Sequence, residues 1–186
     1  IILASGLIIL VLPVVLICAI AIKLDSPGPV FFTQLRTGKL GKRFRMMKFR
    51  TMVANAEDLK EALQAKNTQS YPDFKIPDDP RITRLGHFMR KTSLDELPQL
   101  LNVLYGDMSL VGPRPTSFSS TTYNLWHTAR LETRPGITGL WQVSGRNNID
   151  FDDRVRLDIA YINNESMWLD IQILFRTFTC IIEKNG

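Results

Sequence analysis

Residues 93–99 of the chain read Ser-Leu-Asp-Glu-Leu-Pro-Gln and set two carboxylates, Asp95 and Glu96, side by side ahead of a proline. Two readings of this stretch stand. In one, Ser93 and Glu96 form a capping box, or Asp95 is the N-cap, with Pro98 in the first turn of a helix. In the other, the same helix start is an anion site, because it carries partial positive charge and free N–H groups. That setting would keep Asp95 ionised, and an ionised carboxylate can attack phosphorus to form an acyl phosphate. Neighbouring carboxylates on a regular helix point about 100° apart, so both can grip one ion only at a helix end. This pair sits at one.

Arginines add to the phosphate theme. Pro113 and Pro115 enclose Arg114, fixing the approach and holding its backbone extended. A stiff backbone that presents a planar, permanently charged fork suits phosphate, and an ordinary surface turn has the same sequence. Arg134-Pro135-Gly136 and Gly145-Arg146-Asn147 bracket a loop containing Trp141 and Gln142. Two arginines, an aromatic face and an amide can hold a nucleotide; equally, Trp141 can be core. Lys48, Arg50 and Arg90 read singly as solvated or headgroup-facing charges. Asp158 and Tyr161, three apart on a helical stretch, could reach a sugar hydroxyl. The chain has two histidines, His87 and His127, which excludes sites built from several. No P-loop, HExxH or nucleophile elbow occurs.

The elements that must position these groups follow from pattern. Residues 30–36 and 43–51 are β-rich runs around a Gly38/Gly41 loop and predict a hairpin. Helices are expected over 54–66, around 87–91, over 95–104, over 151–163 and over 167–183, with a polar, proline-bearing loop at 67–80. Residues 106–115 and 134–146 read as rigid loops marked by glycine and proline. The last helix is apolar around much of its circumference, consistent with a core position or with the membrane interface.

Residues 1–22 carry no charge, whereas residues 23–50 carry eight basic side chains against Asp25 alone. The local charge is +7 where the whole chain is +5, so the remainder is slightly acidic. About 20 apolar residues suffice to cross a hydrocarbon core of about 30 Å. Residues 23–25 offer no small-residue cleavage site, so the segment reads as a permanent anchor. The basic stretch after it fits the positive-inside rule and attraction to anionic headgroups. Pro13 kinks this helix, and both a kinked crossing and a helix–break–helix remain open. Cys18 and Cys180 make neither a disulfide framework nor a zinc pattern, which points to a reducing setting. The chain opens at Ile1 rather than Met, so further sequence upstream is expected.

The chain resembles the monotopic phosphoglycosyl transferases of bacterial polysaccharide synthesis, the bacterial sugar transferases. The resemblance is carried by SPGPVFFTQLRTG (26–38), MKFRTM (47–52), DPRITRLGHFMRKTSLDELPQLLNVLYGDMSLVGPRP (79–115), RPGITGLWQVSGRN (134–147) and WLDIQILFRT (168–177). It implies that Asp95 attacks the β-phosphate of a UDP-sugar, releases UMP and passes the sugar phosphate to polyprenyl (undecaprenyl) phosphate. It implies a Mg²⁺ ion on Glu96, shared with Asp95. Arg90 and Arg114 would handle phosphate, and the loop with Arg134, Gln142 and Arg146 would face the nucleotide or sugar. It also implies an anchor that breaks at Pro13 and re-enters the inner leaflet, although some members carry a serine where this chain has Leu12. The 141–147 loop is most similar to that of undecaprenyl-phosphate galactose phosphotransferases, relatives that carry additional membrane helices upstream.

The fold expected is therefore α+β: a re-entrant membrane segment over 1–22, then a mainly helical catalytic domain over 23–186 with a small hairpin and interfacial amphipathic helices. Expected partners are a UDP-sugar, undecaprenyl phosphate and inner-membrane lipid, with a homodimer left open. The catalytic part is expected on the cytoplasmic face of the bacterial inner membrane. A membrane-anchored protein that binds anionic lipid without catalysis is the alternative. Nucleic acid is not expected, because the basic stretch adjoins an apolar anchor and no recognition module is present.

Overall fold

A computed structural model describes residues 2–59, 61–63, 67, 76–144 and 150–183. The apolar N-terminal segment forms one helix, α1 (Ile2–Asp25), long and apolar enough to cross a membrane. Helix runs through Pro13 without interruption, so the proline lies inside a continuous element rather than at an unwound break. A proline's fixed φ is helical, and long apolar arms on both sides sustain the helix across the lost hydrogen bond.

Both arms of α1 dock on the same body. Ala4, 1 % exposed, packs with Phe44, Met46, Val103 and Met108. Near the other end, Cys18 and Ile22 pack with Phe49 and Met89. The opposite face of α1 leaves Ile9, Leu10, Ile17 and Ile20 exposed.

The hairpin forms as predicted. Strands β1 (Phe31–Thr37) and β2 (Arg43–Phe49) pair antiparallel, with Phe31 opposite Phe49 and Thr37 opposite Arg43. Alternation along β2 turns Phe44, Met46 and Lys48 to one face, so a lysine continues a buried apolar row. Asn102 fixes that strand: its Oδ1 accepts from Met47 N at 2.9 Å, and its Nδ2 donates to Arg45 O at 2.8 Å.

Helix α2 (Arg84–Thr92) starts at Thr83, whose hydroxyl accepts from Gly86 N. It ends at Ser93, which takes the left-handed conformation at φ 60°. The helix expected over 95–104 is divided. A single 3₁₀ turn spans Leu94–Glu96, and α3 (Gln99–Leu104) begins after Pro98. The described residues of the expected helix at 54–66 are not helical either: 54–59 and 61–63 are turns, and 60 and 64–66 lie outside the described residues. Their composition favours helix, but Leu59 stays exposed, and a short helix without a packed face is marginal.

The two stretches read as rigid loops carry a small parallel sheet, β3 (Ser109–Val111) beside β4 (Gly136–Thr138). A Cβ on Gly136 would lie 2.1 Å from Gly112 N, so glycine permits this approach. A short helix α4 (Leu140–Ser144) follows, then α5 (Phe151–Asn163) and α6 (Met167–Glu183), both as expected. Helix α6 is divided between the two readings given for it. Ile173 is buried with Val111 and Tyr161, whereas Phe175, Phe178 and Ile182 are exposed. The class is α+β.

Gly86 sits where α2 crosses the chain after β2, and a Cβ there would meet Thr51 O at 2.1 Å. Gly86→Ala is therefore expected to cost about 1–3 kcal/mol by overpacking. A thermal or urea melt checks this, and an unchanged midpoint would contradict the close packing.

Candidate active site

The hairpin, the 3₁₀ turn and the loop after β3 converge on Asp95 and Glu96. Lys48, delivered by the inward face of β2, places Nζ 2.9 Å from Glu96 Oε1 and 3.7 Å from Asp95 Oδ2. Arg114, held between its two prolines, donates to the same Glu96 Oε1, with a second, longer bond of 3.4 Å to Oε2. Arg90 reaches the site from α2, its Nε donating to Thr51 Oγ1 at 2.9 Å. The expected capping box does not form, because Ser93 in its left-handed conformation makes no side-chain cap.

These groups lie in one cavity of about 780 Å³. Its centre is charged, with Lys48, Arg90, Asp95, Glu96 and Arg114, and Arg36 joins them from β1. Its walls are apolar: Leu7 and Val11 of α1, Phe31 and Phe32 of β1, Leu174 and Ile181 of α6. Trp141, Gln142 and Thr138 line another side, and Thr138 Oγ1 meets Thr177 Oγ1 of α6 at 2.6 Å.

The two carboxylates differ. Burial alone would raise Glu96, but Arg114 and Lys48 outweigh it and hold the group well below the usual carboxylate range. Burial raises Asp95 above its ordinary value, with Lys48 opposing. This corrects the expectation that a helix start keeps Asp95 readily ionised: the helix α3 begins only after Pro98, and desolvation dominates at Asp95. Glu96 is thus committed to two cations, whereas Asp95 makes no hydrogen bond among the described residues and has Lys48 as its one ion-pair partner there.

Several sequence assignments change. Lys48, read as a headgroup-facing charge, joins the acidic pair. Arg50 is buried and clasped by the carbonyls of Ser26, Pro27 and Pro29, so it pins the turn between α1 and β1. Arg134 is exposed and lies outside the cavity lining, while Gln142 lines it. Arg146 lies outside the described residues. Asp158 and Tyr161 are not poised for a sugar: both are buried, paired with Arg130 and with Asp170. Arg130 also donates to Arg114 O at 2.8 Å, so α5 steadies the arginine loop from behind. Arg36 went unassigned by motif, and strand alternation with Phe32 and Gln34 is the signal that places it.

A family model described as bacterial sugar transferase matches residues 1–184, and the chain belongs to that family. It is 52 % identical over 161 residues to the galactosyl transferase CpsE of Streptococcus agalactiae, covering 86 % of this chain and 36 % of that protein. It is 48 % identical over 164 residues to the undecaprenyl-phosphate galactose phosphotransferase of Salmonella typhimurium, covering 86 % and 34 %. A UDP-glucose:undecaprenyl-phosphate glucose-1-phosphate transferase of Klebsiella pneumoniae is 41 % identical over 196 residues, covering 100 % and 40 %. The chain thus spans between 34 % and 40 % of the length of these curated relatives.

The raised Asp95 carboxyl has a stability consequence. With its folded pKa above the unfolded value, its contribution to stability is present below the unfolded value and is lost as pH rises through the folded one. Asp95→Asn is therefore expected to melt above the parent at pH 7.5, with the difference shrinking towards pH 4. Scanning calorimetry across that range checks the sign.

Proposed function

We propose that this protein is a phosphoglycosyl transferase that moves a hexose-1-phosphate from a UDP-sugar to polyprenyl (undecaprenyl) phosphate, the initiating step of a surface polysaccharide. The observation that carries this is a desolvated carboxylate without hydrogen-bond partners among the described residues, beside a carboxylate already neutralised, in a cavity with cationic centre and apolar walls. Its relatives' names supply undecaprenyl phosphate as acceptor, and one of them supplies a UDP-sugar as donor.

In the first step an Asp95 oxygen attacks the β-phosphorus, and the bond from that phosphorus to the bridging oxygen breaks. UMP leaves with the bridging oxygen, and the sugar phosphate stays on Asp95 as an acyl phosphate. In the second, a phosphate oxygen of the lipid attacks the same phosphorus, the bond from that phosphorus to the Asp95 oxygen breaks and Asp95 returns to carboxylate. Arg114 and Arg90 bind and orient the phosphates, and Lys48 stabilises the ionised form of Asp95 between turnovers. Trp141 and Gln142 form the side that receives the nucleotide and sugar.

Two adjacent carboxylates with hard oxygens on one cavity wall fit Mg²⁺, which takes one or two carboxylates and completes its shell with phosphate and water. Glu96 and Asp95 would hold it. When bound it neutralises diphosphate charge.

The docking of α1 supports re-entry. In a straight helix Ala4 and Ile22 are about 27 Å apart, close to the depth of a hydrocarbon core. A crossing helix would carry one of them away from the catalytic body, yet both arms pack on it. The +7 segment beyond α1 then favours the cytoplasmic face of the inner membrane. A lipid-binding role without catalysis gives no reason for a buried acidic pair.

Incubation with a radiolabelled UDP-sugar and no lipid should label the protein and release UMP, and Asp95→Asn should do neither. Turnover retained in Asp95→Asn would remove the covalent mechanism. The labelling rate should fall as pH drops through the raised pKa of Asp95, and Lys48→Met should move that acid limb to higher pH.

A further inference from the structure

We infer that Arg36 is a phosphate-binding residue of the central cavity, acting with Arg114 as a second guanidinium for one substrate's phosphoryl oxygens; this rests on the transferase reading above. Strand β1 turns Phe32, Gln34 and Arg36 to the cavity, with Arg36 nearest the arginine loop. Its hydrogen-bond partners are neutral: Nη2 donates to Gln34 Oε1 at 2.5 Å, and Nη1 to Pro115 O at 3.4 Å. Its Nε is buried and has no hydrogen-bond partner among the described residues.

Arg50 and Arg43, which also lack a carboxylate, are satisfied by carbonyl and hydroxyl oxygens, and three other buried or half-buried arginines each face a carboxylate. Arg81 faces Asp79, Arg130 faces Asp158 and Arg114 faces Glu96. Arg36 forms no ion pair among the described residues, and Glu96, already paired with Lys48 and Arg114, acts on it only at longer range. A desolvated guanidinium with an unused donor carries a free-energy cost, and that cost is recovered when an anion arrives. Burial and the neighbouring Arg114 lower Arg36 to about 10, so it remains charged at neutral pH while pressed against a like charge. Two guanidiniums facing one cavity, one of them outside any ion pair among the described residues, form a receptor for a phosphate dianion. Gln34 holds the fork in place, and the bond to Pro115 O ties it to the loop that presents Arg114.

A phosphate dianion could arrive as the diphosphate of the nucleotide sugar or as the phosphomonoester of the lipid. The tests use the full chain in lipid nanodiscs, as parent, Arg36→Met and Arg36→Lys. Inorganic pyrophosphate should raise the parent's melting temperature and leave that of Arg36→Met unmoved; this reading needs no turnover, so it survives failure of the transferase assignment. An unmoved parent, or an equal rise in parent and Arg36→Met, would overturn the inference.

Kinetics then identify the source. Loss of a charge-assisted hydrogen bond should raise one KM by about tenfold to a hundredfold. A rise for the UDP-sugar in the lipid-free labelling reaction places Arg36 on the diphosphate, and a rise for polyprenyl phosphate alone places it on the acceptor. Arg36→Lys should recover part of the loss, because it restores the charge without the fork. Both KM values within about twofold of the parent, or a fall in kcat alone that lysine does not relieve, would overturn the assignment. If Arg36→Met does not fold, the same comparisons with Arg36→Lys decide.

Discussion

The carboxylate of Glu96 is where three parts of the chain meet. Lys48 comes to it from β2 and Arg114 from the loop after β3, while Glu96 itself belongs to the 3₁₀ turn behind α2. These cations and this anion are taken from water together, and a buried ion pair offsets that cost only when its geometry is good and its remaining donors are satisfied. The surrounding bonds serve that end. Asn102 holds β2 in register, and Arg130 grips the Arg114 carbonyl from the side of α5. Glu96 absorbs the positive charge of its neighbours and leaves Asp95, one residue away, desolvated and uncommitted.

That division of labour explains why two adjacent acids are needed. A lone buried carboxylate among several cations would be locked into ion pairs and poorly disposed to attack. A lone carboxylate without them would be protonated. Glu96 takes most of the pairing, and the residual contact of 3.7 Å between Lys48 and Asp95 opposes protonation without engaging the Asp95 oxygens in a hydrogen bond among the described residues. The difference follows from position on a tight turn: a 3₁₀ turn directs successive side chains about 120° apart.

Much of this was legible in the sequence, for identifiable reasons. The hairpin showed itself through β-rich runs around two glycines, and α5 and α6 through long helical patterns. The acidic pair and Arg114 stood out because their spacing and proline frame are unusual. Lys48 and Arg36 did not, since strand alternation assigns a face only once it is known which face docks. Arg134 lies outside the cavity lining for a related reason: Gly136 two residues on enters the sheet, and the arginine ahead of it is left exposed. The stretch 54–66 has helical composition, yet its described residues form turns with Leu59 exposed, and the cap expected of Ser93 was lost to the left-handed turn that closes α2. Pairing of β3 with β4 depends on contacts between distant segments and left no local trace.

The docking of α1 bears on what counts as a domain here. Ala4 shares a cluster with Phe44 and Met46, and Cys18 and Ile22 share another with Phe49 and Met89, so the anchor supplies part of the interior on which the hairpin rests. The boundary after Ile22 then marks a change of solvent rather than a seam in the fold. Order in the charged cavity and the seating of α1 become one cooperative event, and a chain whose α1 is not seated would hold that cavity incompletely assembled.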